Sequence, residues 1–225
     1  MEGNGVDYES RKDLITDAGN LIPGFTLAND EVEFFLHSPH GHRINEREIE
    51  DRNQDCVVTQ AVFSSAGVET KVILAGDAPW ECLQDIVNIT KFHEREHRLD
   101  YDVFKLPHHS SYLSLSDDKG TTQTVPKNEI KEWYDRGGKY CLLVSSSEII
   151  GTADQKMPPH FQAANYYRSV ASAKQGQFKV TMEHPNGFNP QPIVVEIDNF
   201  GSTVKGVATV IGASQAYGST PPKAG

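Results

Sequence analysis

The chain has 225 residues, 37% of them apolar, which supports one sizeable domain and does not demand two. Its 31 acidic and 21 basic residues leave a formal charge of -10. Such a surface repels phosphate backbones, so a general nucleic-acid binder is excluded.

Residues 1–25 are polar and turn-rich and read as an N-terminal arm, followed by a domain over 26–205 and a Gly/Ala/Ser-rich tail over 206–225. The arm has no basic region leading into an apolar one, and no run approaches the roughly 18 apolar residues of a membrane helix. A soluble, cytoplasmic protein without a membrane partner is expected. The alternating EVEFFL predicts a strand over 31–36. The stretch 37–55 is charged and without periodicity and reads as a long surface loop. Its His37, His40 and His42 have no carboxylate or cysteine spacing that completes a metal site. Strands are predicted over 56–63 and 71–76, joined by the hairpin-type turn SSAGVET.

A helix follows over 78–97, with Pro79 in its first turn and Leu83, Ile86, Val87 and Phe92 on its apolar side. Asp77 therefore falls between a strand end and a helix start. The strand YDVFKL, 101–106, is ended by Pro107, so His108 and His109 leave a rigid strand end that can aim them into a cleft. Further on, the pattern gives a helix over 128–136 closed by Gly137, a buried strand over 140–147, a helix over 161–174, and strands over 178–184 and 192–197. In the tail, GVATVIGA is a candidate strand. The fold class is α/β, a mixed sheet with external helices. Cys56, Cys82 and Cys141 are odd in number, far apart and set among apolar neighbours, which suits buried free thiols.

The pieces DRNQDCVVTQAVF, VILAGDA and DYDVFKLPHHSS, in this order and spacing, resemble the later half of a metallo-beta-lactamase-fold hydrolase, closest to the branch of the DNA-uptake competence proteins. MPPHFQAANYY resembles the later HPH segment of that family, with Pro158 in place of its first histidine and His160 in place of its second. The resemblance implies the C-terminal half of an αββα sandwich and a dinuclear zinc centre, with manganese as the alternative metal. Asp77 would bridge the ions and His109 would close the second site, with His108 as a neighbour or the ligand in its stead. It also implies a metal-bound hydroxide that attacks an ester, phosphodiester or lactam. HHSS stands where the family has HHGS, which asks Ser110 to make the turn without glycine's freedom. The family's H-x-H-x-D-H motif does not occur, so this chain is expected to hold metal weakly or not at all. Either the rest of a longer protein completes the site, or the chain is an inactive half-fold that self-associates or binds a partner chain.

Each residue also has a plainer reading. Asp77 suits an N-cap. His160 either donates a hydrogen bond at the cleft or simply opens a helix. Ser145, Ser146 and Ser147 line the cleft mouth or cap a turn, and Asp102 and Lys105 suit structural pairing more than chemistry. HEREH, with His93 and His97, formally matches the H-E-x-x-H of zinc peptidases. Its neighbours are charged nearly throughout, so a solvent-facing turn is preferred and a peptidase is a remote alternative.

Overall fold

The computed structural model describes residues 15–40, 43–45, 48–49 and 53–206. In chain order the elements are α1 (Leu27–Asp30), β1 (Val32–Ser38), β2 (Arg43–Asn45), β3 (Glu48–Ile49), β4 (Val58–Ser65), β5 (Val68–Ala75), α2 (Trp80–Phe92), β6 (Tyr101–Lys105), α3 (Asn128–Asp135), β7 (Gly137–Ser145), α4 (Phe161–Ala173), β8 (Gln177–Val180), β9 (Val195–Asp198) and β10 (Gly201–Val204). Short 3-10 turns lie at Glu96–Leu99, His108–Ser110, Tyr112–Ser114 and Thr181–Glu183.

Six strands form one mixed sheet in the order β1-β4-β5-β6-β7-β8. The first three are antiparallel, and β5 through β8 are parallel. Each parallel step crosses over through one helix, α2, α3 or α4. Because the strand order advances in one direction, right-handed crossovers place all three helices on the same face. There Val58, Ile73, Phe104 and Leu143 of the sheet meet Leu83 and Ile86 of α2, Ile130 and Trp133 of α3, and Tyr167 of α4, all buried. Two of the core aromatics anchor their polar atoms on backbone carbonyls. Trp133 Nε1 donates to the Leu99 carbonyl at 3.0 Å, and the Tyr101 hydroxyl donates to the Tyr134 carbonyl at 2.8 Å.

The other face carries Leu36, Ala61, Val103 and Leu142, which are buried. The two-stranded β9-β10 ribbon lies against β4 and β5. Leu74, register partner of Thr59, is still 43% exposed, and Val57, two residues before Thr59, is 57% exposed. Both sit at the end of the sheet where β5 runs into Asp77.

The expected mixed α/β sheet with flanking helices is thus present, with local corrections. The 37–55 stretch is not one loop: β1 runs on to Ser38, and β2 and β3 pair within it. His37 is consequently a strand residue and buried. The arm is partly built into the sheet edge, since Gly19 and Ile22 donate to the Leu36 and Phe34 carbonyls and Asn20 accepts from Leu36. The predicted turn SSAGVET contracts to Ala66–Gly67, both left-handed (φ 49° and 83°), the primed turn that matches strand twist. The strand predicted over 178–184 stops at Val180 and gives way to a 3-10 turn. Residues 207–213 of the candidate strand GVATVIGA, and His42, lie outside the described residues. Among the described residues no helix is long and apolar enough to cross a membrane.

Candidate functional site

Asp77 and the histidine pair leave neighbouring parallel strands, β5 and β6, at the same end. Gly76 makes the first exit possible by close approach: a Cβ there would lie 3.2 Å from the Val57 carbonyl oxygen and 3.4 Å from Cys56 Cβ. Lys105, the last residue of β6, donates through Nζ to the Ala75 carbonyl at 2.9 Å and to that of Gly76 at 3.4 Å, pinning the strand end before Asp77. Burial pulls its ammonium below the ordinary lysine value, and the Asp77 charge works in the opposite direction. Lys105 therefore does not pair with Asp102, whose carboxylate accepts from the Lys71 amide at 2.8 Å.

The second exit is tighter. His108, His109 and Ser110 are all left-handed, with φ of 44°, 52° and 62°. For residues with a Cβ this costs roughly 1–2 kcal/mol each, so the surroundings must hold the turn. They do so through the His108 amide on the Gly76 carbonyl (3.1 Å), the His160 amide on the Ser110 carbonyl (3.1 Å), and the Ser111 amide on the His108 carbonyl (2.8 Å). A buried hydroxyl chain adds to this: Ser110 Oγ donates to Ser145 Oγ at 2.7 Å, and Ser145 Oγ donates to Ser147 Oγ at 2.8 Å.

The outcome is a close approach of two half-exposed side chains: His109 Nε2 lies 3.7 Å from Asp77 Oδ1. His109 Nδ1 is 2.5 Å from the Ser146 carbonyl, which can only accept, so Nδ1 carries the hydrogen. With Nδ1 carrying the hydrogen, Nε2 is the acceptor nitrogen of the neutral ring, and it lies 3.7 Å from the carboxylate, beyond a direct hydrogen bond but near enough for both groups to face one reacting atom.

The remaining candidates do not join this pair. His160 is buried and both ring nitrogens are engaged, Nδ1 accepting from the Tyr112 amide (3.4 Å) and Nε2 facing the Lys156 carbonyl (3.3 Å). Burial lowers its pKa, which favours the neutral ring. The N-cap of α2 is Pro79, so Asp77 does not cap that helix. HEREH fails as a metal helix because α2 ends at Phe92: His93 is the C-cap, Glu94 is left-handed (φ 54°), and His97 sits in the following 3-10 turn. The two histidines share no helical face.

The zinc or manganese assignment is corrected accordingly. Among the described residues no group of three or more His, Cys, Asp or Glu side chains could hold a metal ion. The physical reason lies in the positions just described: Asp77 and His109 meet, but His108, the other possible ligand, does not complete a group of three with them, and His160 spends both nitrogens on the backbone.

Ser146, expected at the cleft mouth or in a turn cap, acts through its carbonyl, which no side-chain pattern announces. Cys56 lies beside the Gly76–Asp77 exit, and its interaction with the neighbouring Cys82 thiol holds Cys56 below the ordinary thiol value and pushes Cys82 up, while the Cys82 Sγ donates to Ser38 Oγ at 4.0 Å. All three cysteines are free, and Cys56 is only partly buried. Comparison with protein-family models finds no match, and comparison with curated proteins finds none either.

Proposed function

We propose that this chain carries the later half of a metallo-beta-lactamase-like hydrolytic scaffold and acts on an ester or phosphodiester, with Asp77 and His109 as its acid–base edge. The observation that carries this reading is the 3.7 Å approach of His109 Nε2 to Asp77 Oδ1 at neighbouring parallel strand ends, with the histidine tautomer set by Ser146. A general base needs its acceptor nitrogen oriented and its developing charge matched, and this pair has both. The remaining groups of the centre come from a covering element, another segment or another chain, that docks over the exposed Val57–Leu74 end of the sheet beside Asp77. Hydrolysis of bis(4-nitrophenyl) phosphate and 4-nitrophenyl acetate by the assembly isolated from its native cells is the test. Turnover of either substrate supports the reading, and turnover of neither overturns it.

The exposed Val57 and Leu74 also favour a second reading, in which the half-fold is a non-catalytic module that self-associates or binds a partner chain through that sheet end. An assembly that forms normally, is broken by Leu74→Lys and turns over neither substrate would decide for it.

A further inference from the structure

At the opposite end of α2 from Asp77, a cavity of about 50 Å³ opens to solvent between β1, the segment 18–19 and the last turn of the helix. Phe35, Ile86 and Ile89 supply its apolar wall, and Thr90, His93 and Arg95 its polar side. His37 and His40 are also in the lining, and no Asp or Glu is, although the chain carries 31 acidic residues. Arg95 Nη1 donates to the Gly19 carbonyl at 2.6 Å, which uses one of the five N–H groups of the guanidinium. Among the described residues Arg95 has no carboxylate partner.

A helix C-terminus ordinarily repels an anion, because its last carbonyls carry partial negative charge. Here those carbonyls are already satisfied: the amides of His93, Glu94 and Arg95 donate to Ile89, Lys91 and Thr90. The fixed positive charge of Arg95 therefore sets the sign of the site. We infer that this cavity binds a small monocarboxylate with a short branched apolar body, the carboxylate on Arg95 and the body against Phe35, Ile86 and Ile89. A water occupies roughly 10–15 Å³ of such space, so the cavity takes about four waters or one isopropyl-sized group. The inference does not depend on the hydrolase reading, because none of these residues belongs to the Asp77–His109 edge.

The test is a titration of the ¹⁵N-labelled protein with isobutyrate, followed by amide chemical shifts, with isobutyramide as the neutral isostere. Isobutyrate is expected to shift the amides of Gly19, Thr90 and Arg95 with a low-millimolar Kd, about tenfold tighter than isobutyramide. Arg95→Gln should abolish the preference for the acid. Ile89→Trp, which fills the cavity mouth and keeps the guanidinium, should block both ligands and guards against an Arg95 variant that merely loosens the Gly19 contact. Equal affinity for acid and amide, binding that survives Ile89→Trp, or no shift at tens of millimolar isobutyrate would overturn the inference.

Discussion

Ser110 shows how a single residue is held against its own preference. Its left-handed backbone (φ 62°) costs roughly 1–2 kcal/mol, while its hydroxyl contributes a buried bond to Ser145 worth about 1 kcal/mol. Ser110→Ala keeps the strain and loses the bond, so it should destabilise by about 1 kcal/mol. Ser110→Gly loses the same bond but relieves the strain, against an entropy cost of about 0.5–1 kcal/mol, and should be the more stable of the two. Urea denaturation midpoints decide this, and a glycine variant weaker than the alanine one contradicts it. His37 is the other residue held away from its ordinary state. Burial lowers its pKa to about 4, and Nε2 donates to the Arg98 carbonyl at 3.0 Å. Above pH 6.5 neither the folded nor the unfolded chain protonates this ring, so its contribution is fully present. As the pH falls from 6.5 toward 4, the unfolded chain takes a proton that the fold refuses, and stability drops by about 3 kcal/mol from this group. Against His37→Gln, the wild type should lose that much more between pH 7 and 4; parallel pH profiles in denaturant titrations would contradict the assignment.

At the scale of elements, the β4-β5 hairpin depends on Ala66 and Gly67 both being left-handed, and only the glycine does so without strain. Ala66→Asn should therefore stabilise the protein by about 0.5–1 kcal/mol, seen as a higher denaturation midpoint, and a lower one would contradict the turn type. This hairpin, β6, β7 and the helices α2 and α4 were legible because their apolar periodicity is regular and Gly or Pro marks their ends. The predicted helix over 78–97 overran because HEREHRLD is rich in helix formers. The chain instead turns at Glu94, and the side-chain amide of buried Gln60 then bonds the His97 and Asp100 carbonyls at 3.3 and 2.9 Å. Tertiary hydrogen bonding overrode propensity there. The β9-β10 ribbon was half seen, since NFGSTV lacks the alternation that signals a strand. Of the candidate edge, Asp77 and His109 were legible from their place after two apolar runs. The Ser146 carbonyl and the approach of Cys56 were not, because backbone acceptors and close packing leave no residue-type pattern.

At the scale of the whole molecule, the helical face of the sheet is closed, and the ribbon covers part of the other, leaving Val57 and Leu74 exposed beside Asp77. If the proposed association uses this sheet end, Leu74→Lys should abolish it in light scattering without changing the far-ultraviolet circular dichroism of the chain; association that survives the substitution contradicts that contact. The most direct test of the account compares initial rates of bis(4-nitrophenyl) phosphate and 4-nitrophenyl acetate hydrolysis for three forms of the native assembly, carrying wild-type chain, Asp77→Asn or His93→Ala. Losing the carboxylate beside a general base is expected to cost about 10²–10⁴ in rate, so Asp77→Asn should be nearly inactive while His93→Ala matches the wild type. An Asp77→Asn assembly as fast as the wild type, or activity lost with His93→Ala alone, would contradict the account.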